Sequence, residues 1–599
     1  MMIQNLKSCF LLLLFTTSLY PVIGQDILPP VLPWSGASEQ LIADPSNPWI
    51  TASEKSELTE TPNYEETMAW FKKLSDASPV LKMITIGTSA QGRAIQMIIA
   101  SGDKTFTSEK ILSSSKPTLL VQAGIHAGEI DGKDAGMMLL RDIAFGSKGD
   151  LIKKVNFLFI PILNVDGHES VSEYGRVNQR GPKSMGWRTN ARNLNLNRDY
   201  SKLETEGVRA VVTVINTYDP DLYIDLHVTD GADYQFDITY GWGGDESNSP
   251  EISQWLKSAL RPAVDQALQE NGHVPGPLMF AFNDEDFSEG NTEFAFSPRF
   301  SETYGASRYT PSILVENHSL KPYDQRVLGT YVLLEQTLRT LADQGKTLSK
   351  AIGVDRALRL DTVALAYDLS ESLADSMDLR GIESVKLKSE ITGEEYVQWT
   401  GKPIEQKIVV RKMNEVTAQV SRAKAYWIPA EWGDIIQKLK MHGVQVEVIT
   451  QSQTVEVEQY RIEDYKHAAR PFEGKVRVED VTVSTSRQTI TYSKGSARVT
   501  TDQPLGLLVT LLLEPQSPDS FLQWGYFHSI FSRTEYIEKY VMEPLAKQML
   551  ASDPALKSQF EEKMKEEVFA NSPDLIYQWF YAQTPYYDQQ WKLYPIARE

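Results

Sequence analysis

Short apolar runs alternate with helical patterns between about residue 64 and residue 344. Four of the apolar runs have the length of a strand, which predicts strands. The predicted strands are 119–123, 155–163, 222–226 and 313–315, and the predicted helices are 64–74, 130–144, 202–218, 251–269 and 325–342. This alternation predicts an α/β fold, a three-layer sandwich with a mixed, mostly parallel central sheet.

The pattern changes after the last of these helices, which is expected to end near Gly345. Residues 380–500 are rich in strand patterns, with one strand–helix–strand unit near 425–450 whose helix Gly443 would end. Two helical patterns follow between 530 and 570. We therefore expect a main domain over 61–350, preceded by a proline-rich lead-in over 25–60. An α+β accessory region over 351–599 follows, with one or two subdomains.

Residues 1–24 have the pattern of a secretory signal peptide. Lys7 supplies the positive charge, residues 11–15 the apolar centre, and cleavage is expected near Gln25. The alternative, a membrane anchor, is disfavoured because the run is too short to span a bilayer. A lipoprotein is disfavoured because Cys9 precedes most of the apolar stretch. We expect an exported protein, periplasmic or extracellular, without a stable membrane anchor.

Composition excludes several function classes. The 599 residues carry a net charge of −19, which argues against nucleic-acid binding and against docking to anionic lipid. Cys9 is the only cysteine, so cleavage of the signal peptide would leave none. Disulfides, thiolate metal sites and cysteine nucleophiles are then excluded.

Candidate chemistry begins with His126 and Glu129, in the sequence VQAGIHAGEIDG. An apolar run ends at Ile125, and two intervening residues place both side chains on one side of a turn. An imidazole and a carboxylate can then reach one metal ion. The motif is short, and the alternative is a helix-start glutamate beside a hydrogen-bonded loop histidine.

His227 ends the run DLYIDLH, where Leu222, Ile224 and Leu226 alternate with polar residues. Open α/β sheets build their sites at the carboxyl ends of strands. Asp225 either orients a ligand or is an exposed strand residue, and the sequence leaves both open. The alternative for His227 is a structural histidine paired with Asp225.

Glu316 ends a third apolar run, PSILVE. An unpaired carboxylate is costly to bury, but beside a metal ion it would suit a general base. The alternative is a salt-bridged glutamate at a sheet edge.

An arginine-rich stretch, MGWRTNARNLNLNRDY, lies between these motifs. Arg188, Arg192 and Arg198 fall within eleven residues of an acidic chain, with Asn195 and Asn197 among them. Arginine binds carboxylates through two parallel hydrogen bonds, so the stretch indicates an anion-binding site. The alternative is a solvated charged loop.

Along the chain the order is the His126/Glu129 motif, Asn164–Gly167 (NVDG), the arginine-rich stretch, His227 and Glu316. In this order the motifs resemble those of the zinc carboxypeptidases, the carboxypeptidase A-like metallopeptidases. The resemblance covers about residues 60–340, and the C-terminal half is similar to the extension of some large bacterial members. The surrounding stretches look more bacterial than pancreatic.

The resemblance implies one zinc ion held by His126, Glu129 and His227. It implies Glu316 as the base that activates water, and Asn197 with Arg198 as the grip on a substrate's terminal carboxylate. Arg188 would stabilise the oxyanion, with Arg192 as the alternative. The family's mobile tyrosine aligns with neither Tyr304 nor Tyr309 in particular.

The expected function is hydrolysis of the C-terminal peptide bond of peptides with a free carboxylate. A second hypothesis is a peptidoglycan stem-peptide hydrolase or a deacylase that uses the same site. A third is a binding protein on an inactive peptidase scaffold, which the complete set of expected ligands and Glu316 argues against.

Overall fold

A mixed eight-stranded sheet forms the centre of the N-terminal half in a computed structural model, which describes residues 27–243, 249–283, 285–293, 297–370, 375–533 and 535–599. The expected signal peptide lies outside these ranges. The first nine strands are β1 (Leu81–Thr88), β2 (Ala94–Ala100), β3 (Thr118–Ala123), β4 (Asn156–Ile160), β5 (Leu222–Val228), β6 (Ile238–Trp242), β7 (Pro275–Gly276), β8 (Asn291–Glu293) and β9 (Ser312–Asn317).

All of these strands except β8 belong to the sheet, in the order β1-β2-β4-β3-β5-β9-β6-β7. The four central strands β4, β3, β5 and β9 are parallel, whereas β1, β2 and β6 run antiparallel to their inner neighbours. Every residue of β3, β4 and β5 is buried, as expected for parallel strands covered on both faces. The sheet confirms the predicted α/β fold and gathers the carboxyl ends of β3, β5 and β9 at one edge.

Helices cover both faces of the sheet. Leu119 and Val121 of β3 face one apolar core, and Leu120 between them faces the other. The helices of this half are α1 (Ala52–Lys55), α2 (Tyr64–Ala77), α3 (Ser108–Leu112), α4 (Asp131–Phe145), α5 (Val165–His168), α6 (Glu206–Tyr218), α7 (Pro250–Trp255), α8 (Arg261–Glu270), α9 (Ser301–Ala306) and α10 (Tyr323–Arg356). Helices α2, α4, α8 and α10 contribute to the first core, and α6 packs in the second. The three layers are therefore those that the sequence predicts.

Helix α10 extends well past its predicted end near Gly345. It continues to Arg356, so the predicted helix end is wrong. Gly345 is buried against Pro117, and a Cβ at this position would come within 2.5 Å of the proline Cγ. The glycine therefore permits close packing inside the helix and does not terminate it. Helix α6 starts later than predicted, because the Asp199 carboxylate accepts hydrogen bonds from the Glu204 and Thr205 amides and holds that segment as a loop.

The C-terminal part contains three further sheets. Its elements are β10 (Thr362–Asp368), β11 (Asp375–Lys388), β12 (Glu395–Lys412), β13 (Glu415–Ser421), β14 (Ala425–Ile428), α11 (Gly433–Met441), β15 (Glu447–Val448), β16 (Gln453–His467), β17 (Val478–Tyr492), β18 (Ala497–Thr500), α12 (Gly506–Leu513), α13 (Lys539–Ser552), α14 (Pro554–Lys563), α15 (Glu567–Ala570), α16 (Pro573–Ala582) and β19 (Leu593–Arg598). The largest sheet has the order β15-β18-β14-β19-β16-β17. The predicted strand–helix–strand unit is present as β14, α11 and β15, and Gly443 follows α11 with φ +85°.

The two halves of the chain contribute residues to both large apolar cores, and Val363 of β10 and Leu511 of α12 lie in the first. The second core joins Val211 of α6 to Tyr426 of β14 and Leu508 of α12. Strand β8 pairs with β12, and the Arg308 guanidinium donates to the His442 carbonyl at 2.7 Å. The C-terminal part therefore packs directly on the face of the central sheet that carries α6. Among the described residues, every helix is too short or too polar to cross a bilayer.

Candidate metal centre

The loop between β3 and α4 positions His126 and Glu129. Gly124 begins this loop with φ +66°, a conformation that glycine adopts without strain. The Glu129 amide then donates to the His126 carbonyl at 3.0 Å, which closes a turn ahead of α4. Both side chains point to the carboxyl edge of the sheet, where His227 lies next to the last residue of β5.

The side chains of His126, Glu129 and His227 converge on one point. Their ligand atoms all lie within 4.8 Å of one another, and all three residues are buried. His126 Nδ1 is 3.0 Å from Glu129 Oε1, and His227 Nδ1 is 3.0 Å from Glu129 Oε2. The two Nδ1 atoms are 3.2 Å apart. Two imidazole nitrogens and a carboxylate are a donor set that zinc prefers, with room for a further ligand.

The other nitrogen of each histidine is already fixed by the protein. His126 Nε2–H donates to Asn195 Oδ1 at 3.0 Å, and His227 Nε2–H donates to Asp225 Oδ2 at 2.9 Å. Asp225 is itself held by Gln122 Nε2 at 2.8 Å. Such partners set the tautomer and leave Nδ1 for the metal. Asp225 is fully buried, so the exposed alternative is wrong.

Burial and charge act in opposite directions at the three ligand residues. Burial lowers the pKa of His126 to about 4, which Glu129 offsets only in part. Burial also disfavours protonated His227, but Asp225 and Glu129 raise the pKa of His227 well above its usual value. Burial alone would raise the pKa of Glu129, whereas His126 and Arg176 hold it well below its usual range. The two histidines therefore differ in protonation, since His126 is neutral and His227 holds a proton that a metal ion would displace.

Glu316 lies beside this cluster on β9. It is paired in register with His227 across the parallel strands β5 and β9. Its Oε2 atom is buried and has no hydrogen-bond partner among the described residues. Burial raises the pKa of Glu316 to about 8, although the nearby His227 opposes this shift. A buried, unpaired carboxylate oxygen costs free energy, so its presence next to a metal-ligand set indicates a functional group.

Arg188 and Arg192, the two candidates for stabilising the oxyanion, make different contacts. Arg188 Nη1 lies 3.0 Å from Glu129 Oε1, and its side chain is 39% exposed, so it lies between the site and solvent. Arg192 instead binds Glu206 at 3.1 Å and the Glu204 carbonyl. The structure thus brings Arg188, but not Arg192, to the candidate metal site.

Sequence reasoning missed Arg176. Its Nη1 atom lies 2.7 Å from Glu129 Oε1, and its Nη2 donates to the Val228 carbonyl at 3.3 Å. The arginine comes from an irregular loop without a recognisable motif, so no sequence signal identified it. Arg176 and Arg188 thus both contact Glu129 Oε1, and the carboxylate has two positively charged partners.

Asn197 and Arg198 occupy a single 3₁₀ turn, Leu196–Arg198. The Asn197 side-chain oxygen accepts from the Ser301 amide at 2.9 Å, and the Arg198 guanidinium stacks over the Phe300 ring at 4.5 Å. Burial, helped by the nearby Arg188 and Arg299, lowers the pKa of Arg198 to about 10. This local excess of positive charge would attract an anion.

Neither Tyr304 nor Tyr309 is positioned to act at the site. The Tyr304 hydroxyl is bonded to His442 Nδ1 at 2.9 Å and accepts from Arg308. Tyr309 precedes the start of β9, at the opposite end of the strand from Glu316. Tyr309 is buried in the first apolar core and Tyr304 in the second.

Comparison with known proteins identifies a single family. Residues 67–304 match the zinc carboxypeptidase family model, a range that includes the three ligand candidates, Asn197 and Arg198. Carboxypeptidase 2 of Trichophyton rubrum is 22% identical over 489 residues, which cover 78% of this chain and 85% of that protein. The inactive metallocarboxypeptidase ecm14 of Schizosaccharomyces pombe is 30% identical over 114 residues, which cover 18% of this chain and 22% of that protein. Carboxypeptidase A of Helicoverpa armigera is a solved structure with 18% identity and a TM-score of 0.36, covering 53% of this chain and 80% of that one.

Proposed function

Because the chain is a zinc metallopeptidase of the carboxypeptidase family, we propose that it is an exported enzyme that removes the C-terminal residue of peptides. The observation that carries this proposal is the convergence of His126, Glu129 and His227 beside Glu316, whose buried Oε2 atom has no hydrogen-bond partner within the described ranges. The catalytic domain is assigned to residues 61–350. The accessory region is assigned to 351–599, although α10 runs across that boundary.

His126, Glu129 and His227 would hold one zinc ion through two Nδ1 atoms and the carboxylate. When bound, zinc polarises a carbonyl group and makes a nearby water more acidic. The Nε2 partners Asn195 and Asp225 keep both imidazoles oriented for this role. Neutral His126 is ready to bind, whereas His227 must first give up a proton.

Glu316 would take a proton from the attacking water at its free Oε2 atom and deliver it to the leaving amine. Its raised pKa, to about 8, suits a group that must both accept and release a proton near neutral pH. Since Glu316 lies within β9 and its Oε2 atom is buried, bulk water has limited access to the carboxylate. Glu316 would then exchange its proton with the attacking water and the leaving amine, and not with bulk solvent.

Arg198 and Arg188 would each bind one of the two negatively charged groups of the reaction. Arg198 would bind the terminal carboxylate of the peptide through parallel hydrogen bonds, and the side-chain amide of Asn197 would add a donor. Arg188, half-exposed and next to Glu129, would stabilise the oxyanion that develops at the scissile carbonyl. Because Arg198 and the metal site are held at a fixed distance from each other, a peptide bound by its C-terminal carboxylate would present only its last peptide bond for cleavage.

Product analysis by mass spectrometry tests the proposal. Purified protein is incubated with a peptide pool and with a muropeptide pool, with and without a chelator, and Glu316→Gln serves as the inactive control. We expect chelator-sensitive, stepwise loss of C-terminal residues from the peptides. Chelator-sensitive cleavage of muropeptides alone would instead support a cell-wall peptidase. A zinc-loaded protein that cleaves neither pool would favour a binding protein.

Export rests on residues 1–24, whose charged start and short apolar centre fit a signal peptide. N-terminal sequencing of the protein secreted by its host tests this assignment. A mature chain that begins near Gln25 is the expected result, and retention of the full N-terminus would contradict it.

A further inference from the structure

A tight turn from the C-terminal part of the chain contacts Asn195, the hydrogen-bond partner of His126. Phe472 and Lys475, between β16 and β17, exchange two backbone hydrogen bonds of 2.8 and 3.0 Å. The two residues between them, Glu473 and Gly474, have φ of 49° and +75°. Two successive positive φ values define the central pair of a type I′ turn.

Glu473 is an unusual residue for the first central position of such a turn. Asparagine, aspartate and glycine are preferred there, because other side chains are strained at positive φ. Gly474 follows the usual preference and packs closely, since a Cβ there would come within 3.3 Å of Leu194 Cδ2. Strain that is maintained in a folded protein calls for an interaction that offsets it.

The Glu473 side chain makes this interaction with the loop of the candidate site. Its Oε2 atom accepts a hydrogen bond from the Asn195 backbone amide at 2.8 Å. Lys202 Nζ lies 3.4 Å from the Glu473 carbonyl oxygen and holds the turn from the other side. The contact joins residues that are 278 positions apart in the chain.

Asn195 is the residue through which both parts of the site are held. Its Oδ1 atom accepts from His126 Nε2 at 3.0 Å and from the Asn197 amide at 2.9 Å. A shift of Asn195 would therefore move a zinc ligand and the start of the turn that carries Arg198. We propose that Glu473 is a positioning residue, by which the C-terminal region fixes Asn195 and thereby orients His126 for zinc.

The inference rests on the proposed function, because it takes His126 as a zinc ligand. It concerns a single contact within a wider interface. Trp524 donates to Ser201 Oγ at 2.9 Å, and Lys475 forms an ion pair with Glu204 at 2.7 Å. These contacts hold the same segment of the catalytic part, so substitution of Glu473 should leave the two halves docked.

Two variants of Glu473 separate the hydrogen bond from the charge. Glu473→Ala removes the acceptor for the Asn195 amide. Glu473→Gln keeps an acceptor oxygen and removes the negative charge, which also lies near Arg198. Lys475→Met is the matched control, because it changes the same turn and the same interface but does not contact Asn195.

The primary measurement is the zinc dissociation constant of the full-length protein, determined by competition with a chelator. We expect Glu473→Ala to weaken zinc binding by about tenfold, at the lower end of the effect for outer partners of a ligand. Glu473→Gln and Lys475→Met should remain within about threefold of wild type on the same scale. Thermal unfolding of each variant confirms that it is folded.

Peptidase activity supplies a second readout. The kcat/KM of Glu473→Ala should recover when zinc is saturating, since the loss lies in metal occupancy. The positioning role would be overturned if Glu473→Ala bound zinc as tightly as Lys475→Met does. It would also be overturned if Glu473→Gln lost as much zinc affinity as Glu473→Ala. Either result would leave the proposed function intact. A wild-type protein that binds no zinc would overturn both.

Discussion

His227 and Glu316 are paired in register on the adjacent parallel strands β5 and β9. The pairing places a candidate metal ligand beside a carboxylate whose Oε2 atom has no hydrogen-bond partner in the described part of the chain. Because neighbouring strands of a sheet are about 5 Å apart, the two side chains can act on one small group of atoms. The site thus depends on strand register, and small changes in the sheet would separate the ligand from the base.

Glu316→Gln is expected to retain zinc and to lower kcat by about a hundredfold to ten-thousandfold, the usual contribution of a general base. The amide keeps the shape of the side chain but cannot accept the proton of the attacking water. Metal content by atomic emission and kcat on a cleaved peptide provide the test. Glu335→Gln, a change on α10 where the carboxylate pairs with Lys148 and Arg339, is the control. Loss of zinc along with activity would place Glu316 among the ligands.

Arg198→Ala is expected to lower kcat/KM for peptides with a free C-terminus by about 30-fold. This corresponds to about 2 kcal/mol for removing one partner of a buried charge pair. Peptides with an amidated C-terminus should be cleaved slowly by wild type and should be affected little by the change. Arg192→Ala is the matched control from the same loop, since Arg192 pairs with Glu206. Equal losses on free and amidated peptides would contradict the carboxylate-binding role.

Asp225→Asn is expected to weaken zinc binding by about tenfold to a hundredfold, the range for a residue that orients a ligand. The charge that holds the His227 Nε2–H would be lost. Competition with a chelator measures the zinc dissociation constant. Asp221→Asn, just before the other end of the same strand, removes the charge that accepts the Thr118 amide and serves as the control. Similar zinc affinities of the two variants would argue against an orienting role for Asp225.

Zinc uptake at pH 7 is expected to release about one proton from His227. Its pKa is well above the usual value in the metal-free protein, so the ring is protonated and a proton competes with zinc. The pKa of His126 is about 4, and this ring releases none. Zinc affinity should therefore fall as the pH falls below the raised pKa of His227.

Calorimetry in buffers of different ionisation enthalpy measures the protons released. The experiment is best done in the Glu316→Gln variant, since the raised pKa of Glu316 would allow that carboxyl to release a second proton. Binding without proton release in this variant would show that His227 is neutral before zinc binds.

Several elements could be predicted because their signal is local. The four predicted strands appear as β3, β4, β5 and β9, and helices α2 and α4 differ from prediction by a few residues. Helix α12 was not predicted, because its sequence GLLVTLLL is apolar on every side and shows no helical period. The end of α10 was misplaced, since a glycine that packs against Pro117 has the same local signal as one that ends a helix.

Some residues of the candidate site could also be predicted from the sequence, and others could not. His126, Glu129, His227 and Glu316 follow apolar runs, so their positions at strand ends were readable from the sequence. The contacts that distinguish Arg188 from Arg192 could not be read from the sequence, because both arginines lie in one irregular loop. Only the folded chain shows that Arg192 pairs with Glu206.

The sequence by itself determined the α/β class, the order of the strand-end residues and the chemistry of their side chains, since apolar pattern and residue type are local properties. Tertiary structure alone decided which residues meet. It set His227 opposite Glu316, it brought Arg176 from a featureless loop to Glu129, and it placed Glu473 against Asn195. These contacts depend on strand register and on the packing of distant segments, which are properties of the whole folded chain and leave no local pattern to read.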